Sequence, residues 1–199
     1  MINKYNRSLF KRIFDIIFSF ISILLLSPVI IIILLFLQFT IGSSIFFFQY
    51  RVGKNGKVFR IVKFRTMIKN AEKLKNKYKR LNQADGPVFK IYDDPRFTKI
   101  GKILSKLGLD ELPQLINVLK GEMSLVGPRP LPVDEAKKLT KEQKIREMVR
   151  PGITSTWVIE GSHRLSFKKW MQLDKEYVEN ATFLKDLKII IKTVFMLLY

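Results

Sequence analysis

The chain contains no cysteine, which excludes disulfides, a thiol nucleophile and a thiolate-bound zinc. Its one histidine, His163, has no second imidazole to join it, so a histidine-built zinc site is excluded as well. Neither G-x-x-x-x-G-K-[ST] nor G-x-G-x-x-G occurs, so the common nucleotide-binding loops are absent. Acidic residues are scarce: 17 Asp and Glu stand against 36 Lys and Arg, a formal charge of +19. That balance calls for an anionic partner, whether nucleic acid, anionic lipid or a phosphorylated substrate. No recognised nucleic-acid motif accompanies the charge, so no nucleic-acid partner is expected. A length of 199 residues with 47% hydrophobic content suits one well-cored unit.

Charge is also missing locally. Between Ile13 and Phe48 there is one acidic residue, Asp15, and neither Lys nor Arg. A bilayer core needs about 20 apolar residues in a helix, and this run exceeds that. It is too long for the roughly 7–15-residue core of a cleavable signal peptide and no A-x-A site follows, so an uncleaved anchor is expected. Basic residues flank both ends, Lys4 to Arg12 before and Arg51 to Arg65 after, which draws both ends to the cytoplasmic face. Ser27-Pro28 lies near the middle, where proline removes a donor and kinks a helix. A kinked span and a helix that enters, breaks and returns both fit these residues.

Beyond the anchor the pattern is mixed α/β, mostly helical. Ile45–Gln49 and Val58–Phe64 read as a β-hairpin around Gly53 and Gly56. Helices are expected over 69–82, 98–107, 140–149, 167–178 and 184–198, with another starting at or just before Asp110 because Pro113 suits a first turn. The last helix is apolar but too short to span, so it belongs in the core or at the membrane interface. No internal repeat or low-complexity linker is present.

Four constellations could carry chemistry. Asp110-Glu111 offers adjacent carboxylates at a helix start, where an acidic cap is the plainer use. Val126-Gly127-Pro128-Arg129-Pro130 holds one arginine between two prolines, and its planar fork suits phosphate oxygens. Lys63 and Arg65 alternate on a strand with Phe64 on the other face. Asp93-Asp94-Pro95-Arg96 offers carboxylates and an arginine in a loop, although turn-building explains most such loops.

In order along the chain, FFFQYRVGKNGKVFRIVKFRTM, DGPVFKIYDDPRFTKIGKIL, LDELPQLINVLKGEMSLVGPRPL, RPGIT and LDKEYVEN form a series that resembles the bacterial sugar transferases, the monotopic phosphoglycosyl transferases, over nearly the whole chain. The chain is similar to their small form. The resemblance implies an anchor (1–48) that is a reentrant helix-break-helix hairpin at Ser27-Pro28. It also implies a cytoplasmic catalytic domain (49–199) with amphipathic interfacial helices, at the cytoplasmic face of the bacterial inner membrane. It further implies Mg²⁺, a UDP-sugar donor and undecaprenyl phosphate as acceptor, with UMP released and a surface glycan begun. A second copy of the chain and downstream glycosyltransferases are the further partners it suggests. Asp110 would attack the β-phosphorus and carry a phospho-sugar adduct, and Glu111 would orient the metal or a proton. Arg129, Lys63, Arg96 and Asp174 would bind or arrange the phosphates.

Some positions depart from the pattern: Ser105 where arginine is usual, Gly108 for serine, Glu122 for aspartate, and Ser162 with Arg164 in place of a Gly-Arg pair. Lys102 or Lys106 is the nearest substitute for the missing charge. Those departures leave one reading of another class, a catalytically silent scaffold that binds anionic lipid or a partner enzyme.

Overall fold

The computed structural model describes residues 2–42, 44–161 and 165–198, so Ser162, His163 and Arg164 lie outside the described residues. Ser8 starts the long helix α1 (Leu9–Ile41), its hydroxyl accepting from the Lys11 amide at 3.1 Å. At 1.5 Å per residue these 33 residues reach about 50 Å. Among the described residues α1 is the one helix long and apolar enough to cross a membrane.

The expected break at Ser27-Pro28 is corrected: α1 runs through it as a single helix. Pro28 cannot donate to the carbonyl four residues back, which is that of Leu24. The Ser27 hydroxyl donates to that carbonyl instead, at 2.8 Å, so the helix continues with the orphaned acceptor satisfied.

Both ends of α1 are held by the rest of the chain, while Phe20, Leu24 and Leu25 in between are exposed. Near the N-terminal end, Arg12 donates to the Val118 and Leu119 carbonyls at 2.6 and 2.8 Å. Asp15, 1% exposed, accepts from the Ser124 hydroxyl at 3.0 Å and the Leu125 amide at 3.1 Å. Near the C-terminal end, Ile33 and Leu37 pack with Phe64 and Leu104.

The hairpin forms as expected, with longer bounds on its first strand. β1 (Phe46–Val52) pairs antiparallel with β2 (Val58–Phe64), in a register that sets Phe47 opposite Lys63 and Tyr50 opposite Arg60. Period-two alternation buries Phe59 and Ile61 against Val118 and Met123. The Asn117 side chain ties this sheet down, accepting from the Val62 amide at 3.2 Å and donating to the Arg60 carbonyl at 2.9 Å.

Four helices follow the expected pattern closely or in part: α2 (Lys99–Lys106), α3 (Gln114–Lys120), α6 (Phe167–Asn180) and α7 (Phe183–Leu198). Two others do not form. Residues 69–82 are a chain of turns ending in a 3-10 turn (Lys79–Leu81), and 140–149 yields the 3-10 segment Gln143–Met148. In the first, Asn70 enters a left-handed conformation (φ 63°), and Lys73/Lys77 and Lys75/Lys79 would stack like charges one turn apart.

Unforeseen was a short parallel pair, β3 (Ser124–Val126) with β4 (Gly152–Thr154). The minor helix α4 (Val133–Ala136) lies between the two strands in sequence, and α5 (Thr156–Ile159) follows the second. Gly127 and Gly152 sit where their backbones nearly touch; a Cβ on Gly152 would fall on the Gly127 amide. Only glycine permits that approach. A further core cluster gathers around Trp157 and Trp170, stacked at 4.4 Å, with Phe167, Met171 and Leu131.

One buried polar knot joins α1 to α7. Lys11 Nζ lies 2.5 Å from Asp186, which is fully buried, and also donates to the Val126 carbonyl at 3.2 Å. Tyr5 and Tyr177 donate to the same carboxylate at 2.9 and 2.7 Å. Removing one partner of such a pair strands the other. Lys11→Met should therefore cost about 3–5 kcal/mol of stability, measured as a lower melting temperature of the detergent-solubilised chain. Adding Asp186→Asn should restore much of the loss.

Candidate active site

The site begins where α2 ends. Gly108 turns the chain through a left-handed conformation (φ 66°) into the 3-10 turn Leu109–Glu111. A Cβ there would meet Leu197 at 3.0 Å, so both backbone and space call for glycine. Pro113 then opens α3, so the expected single helix from Asp110 is corrected to a 3-10 turn followed by a helix. Leu109 and Leu112 pack beside Leu37, Phe64 and Leu104, which anchors the turn by its apolar side.

Lys63, on β2, reaches both carboxylates, with Nζ at 2.6 Å from Glu111 Oε1 and 3.6 Å from Asp110 Oδ2. Its strand neighbour Arg65 is turned away, donating to the Ser44 carbonyl at 2.6 Å. Arg129 Nη2 lies 2.9 Å from that same Glu111 oxygen. The two acids are thereby driven apart electrostatically. Burial would raise Glu111, but Arg129 and Lys63 outweigh it and hold its carboxyl well below the usual carboxylate range. Burial dominates at Asp110 and pushes it up, with Lys63 opposing and Glu111 adding to the rise. Glu111 is the fixed anion; Asp110 makes only the longer contact and is the less engaged group.

Arg129 is held through its backbone. The Gly127 amide donates to the Thr154 carbonyl, and the Gly152 amide to that of Pro128, both at 3.0 Å. Arg146 donates to the Arg129 carbonyl at 2.6 Å, and Arg51 to the Pro130 carbonyl at 2.8 Å. Arg146 in turn pairs with Asp174 at 2.9 Å. Asp174 therefore stands behind Arg129, with Arg146 between them, and not beside the dyad. Its complete burial pushes its carboxyl up to about 6, although Arg146 opposes the shift.

Arg96 does not join the cluster. Its guanidinium binds Asp94 through Nε at 2.9 Å and Nη2 at 2.6 Å, and the Ala71 carbonyl through Nη1 at 3.0 Å. It builds its own loop, the plainer use that such loops have. Lys102 is likewise engaged, by Asp93 at 2.5 Å.

Sequence reasoning missed Arg51, Gln114 and Lys90. Arg51 and Gln114 line one cleft with Lys63, Glu111 and Arg129. Lys90 is pushed down to about 8 by burial and then by the charge of Arg129, which marks it as electrically close to the cluster. All three lay inside the quoted motifs, where their polar side chains among apolar neighbours were the available signal. Arg146 had no such signal.

Asp110 and Glu111 are the residues able to hold a divalent cation; no group of three or more His, Cys, Asp or Glu ligands forms among the described residues. Both cationic contacts to Glu111 use Oε1, which leaves Oε2 outside them. Mg²⁺ typically takes one or two carboxylates and completes its shell with water and substrate phosphate. The donor set fits that requirement.

Sequence comparison finds relatives that cover nearly the whole chain. The exopolysaccharide production protein ExoY of Sinorhizobium fredii is 38% identical over 188 residues, covering 92% of this chain and 83% of that protein. The galactosyl transferase CpsE of Streptococcus agalactiae is 43% identical over 192 residues, 96% of this chain but 42% of that protein. The UDP-glucose:undecaprenyl-phosphate glucose-1-phosphate transferase of Escherichia coli is 36% identical over 195 residues, 94% of this chain and 40% of that protein. The chain thus spans most of the shorter relative and about two-fifths of the longer ones. The profile of the bacterial sugar transferases matches residues 6–199, and the chain belongs to that family.

Proposed function

We propose that the chain is a membrane-bound phosphoglycosyl transferase that moves a phospho-sugar from a UDP-sugar to undecaprenyl phosphate and so begins a surface glycan. The observation that carries the reading is the split carboxylate pair, Glu111 neutralised by two cations and Asp110 left with the weaker contact. Relatives named for exopolysaccharide production and for glucose-1-phosphate transfer to undecaprenyl phosphate supply the substrate class.

The transfer proceeds in two displacements, which divide one difficult step into two. An Asp110 carboxylate oxygen bonds to the β-phosphorus, the phosphoanhydride bond breaks, and its electron pair departs on UMP. A polyprenyl phosphate oxygen then bonds to the same phosphorus, and the pair in the Asp110–phosphorus bond returns to the carboxylate. Lys63 and Arg129 shield the approach of one anion to another, and fixed charges in a dry site need no reorganisation during reaction. Mg²⁺, held by Asp110 and Glu111, would add charge neutralisation at the diphosphate.

We assign the anchor a reentrant path made by one continuous helix bent at Pro28, not by two helices with a break between them, with both ends at the cytoplasmic face of the bacterial inner membrane. The support is that the Lys11–Asp15 end and the Ile33–Leu37 end of α1 both pack on the catalytic body while the middle is bare. Exposed Leu184, Ile191, Val194 and Phe195 on α7 suit contact with the same lipid surface.

Asp110→Asn should reduce UMP release by about 10³-fold or more without loss of fold or membrane attachment. The assay supplies Mg²⁺, undecaprenyl phosphate and a panel of UDP-sugars. A wild type that binds anionic vesicles yet releases no UMP from any donor would instead be a scaffold. Asp174 supplies a pH signature: above about 6 it is ionised and holds Arg146. Asp174→Asn should be slower than wild type at neutral pH, and the gap should close as pH falls through that value. Labelling of cysteines introduced at residues 2 and 199 should come only from the cytoplasmic side; an externally reactive residue 2 would replace the reentrant path with a span.

A further inference from the structure

The cleft beside the dyad contains donors with nothing to donate to. Gln114 is 2% exposed and its amide nitrogen, Nε2, has no partner; Nε of Arg51 is equally shut off from solvent and equally unpartnered. Both residues line the cleft shared with Lys63, Glu111 and Arg129. A buried donor left unpaired costs about 1–3 kcal/mol, so two in one cleft demand an explanation. Charge points the same way. Arg51, Lys63 and Arg129 line this cleft with one carboxylate, Glu111, which Lys63 and Arg129 already hold; Arg51 feels the more distant charge of Glu135 but has no carboxylate within ion-pair distance among the described residues. The missing partner is therefore rich in acceptor oxygens and anionic.

We infer that Arg51 and Gln114 form an oxyanion subsite for a phosphate monoester, occupied first by the departing UMP and then by the polyprenyl phosphate that replaces it. The inference rests on the double displacement above. In each displacement the group opposite Asp110 must lie in line with the Asp110–phosphorus bond. The leaving phosphate of UMP and the attacking phosphate of the lipid therefore use the same place in turn. One set of neutral and cationic donors serves both, because the two groups share a phosphate terminus and differ only in what it carries. Gln114 contributes a donor without charge, so the subsite can release UMP as well as hold it.

The test uses the full chain in detergent and reads binding without turnover. Equilibrium dialysis is run with UMP and with solubilised undecaprenyl phosphate, with uridine as the control lacking phosphate. In wild type the two phosphates should compete, and uridine should displace neither. Gln114→Met keeps length and loses the donor; Arg51→Lys keeps charge and loses the planar fork. Each should weaken both phosphates about tenfold, equivalent to about 1.4 kcal/mol. The two residues lie on different elements, so if one variant fails to melt cooperatively the other still decides. Unchanged binding in a folded variant would mean that the donors hold water alone, and would overturn the subsite. Simultaneous binding of both phosphates by wild type, or a loss confined to one of them, would overturn the sharing. Competitive binding of both by a chain that releases no UMP from any UDP-sugar would leave the subsite standing and defeat the functional reading instead.

Discussion

Glu111 holds two cations on one carboxylate oxygen, and each cation comes from a different part of the chain. Lys63 arrives on β2, seven residues after the hairpin turn, and Arg129 on the proline-bounded loop that follows β3. All three groups are partly withdrawn from water, so each charge is costlier without its partners, and the two cations keep the carboxylate ionised. Much of the surrounding structure serves this junction. Asn117 ties β2 to α3, while Gly127 and Gly152 let β3 and β4 approach. Arg146 and Arg51 hold the carbonyls of the arginine loop.

The same junction separates the two neighbouring acids. With Glu111 held by two cations through one oxygen, Asp110 keeps the higher proton affinity and makes only the longer contact. Adjacent residues of like chemistry thus take different tasks through environment alone.

The anchor and the catalytic body are not independent. Lys11 reaches the Val126 carbonyl, one residue before the loop that carries Arg129, and Asp15 accepts from the backbone of β3. The one acidic residue in the apolar run is thus spent inside the protein, away from lipid. The N-terminal end of α1 and the loop that carries Arg129 therefore share one set of contacts.

The long apolar run, the hairpin, the terminal helices and the Asp110-Glu111, Lys63 and Arg129 set were all legible in the chain, because periodicity, proline placement and motif order are local properties. The run of lysines at 69–82 misled, since helical composition there is undone by like charges one turn apart. Pro28 misled in the opposite sense, because a serine hydroxyl at the right offset mends what the proline removes. Arg96 and Asp174 looked equivalent as motif residues. Tertiary structure separated them: one closes a loop on Asp94, the other stands behind Arg146. The chain by itself determined which chemical groups exist and in what local geometry each is offered. Only the folded structure decided which of them share a cleft, because burial and the distance between charges are set by segments far apart in sequence, and those two quantities assign every carboxylate here its role.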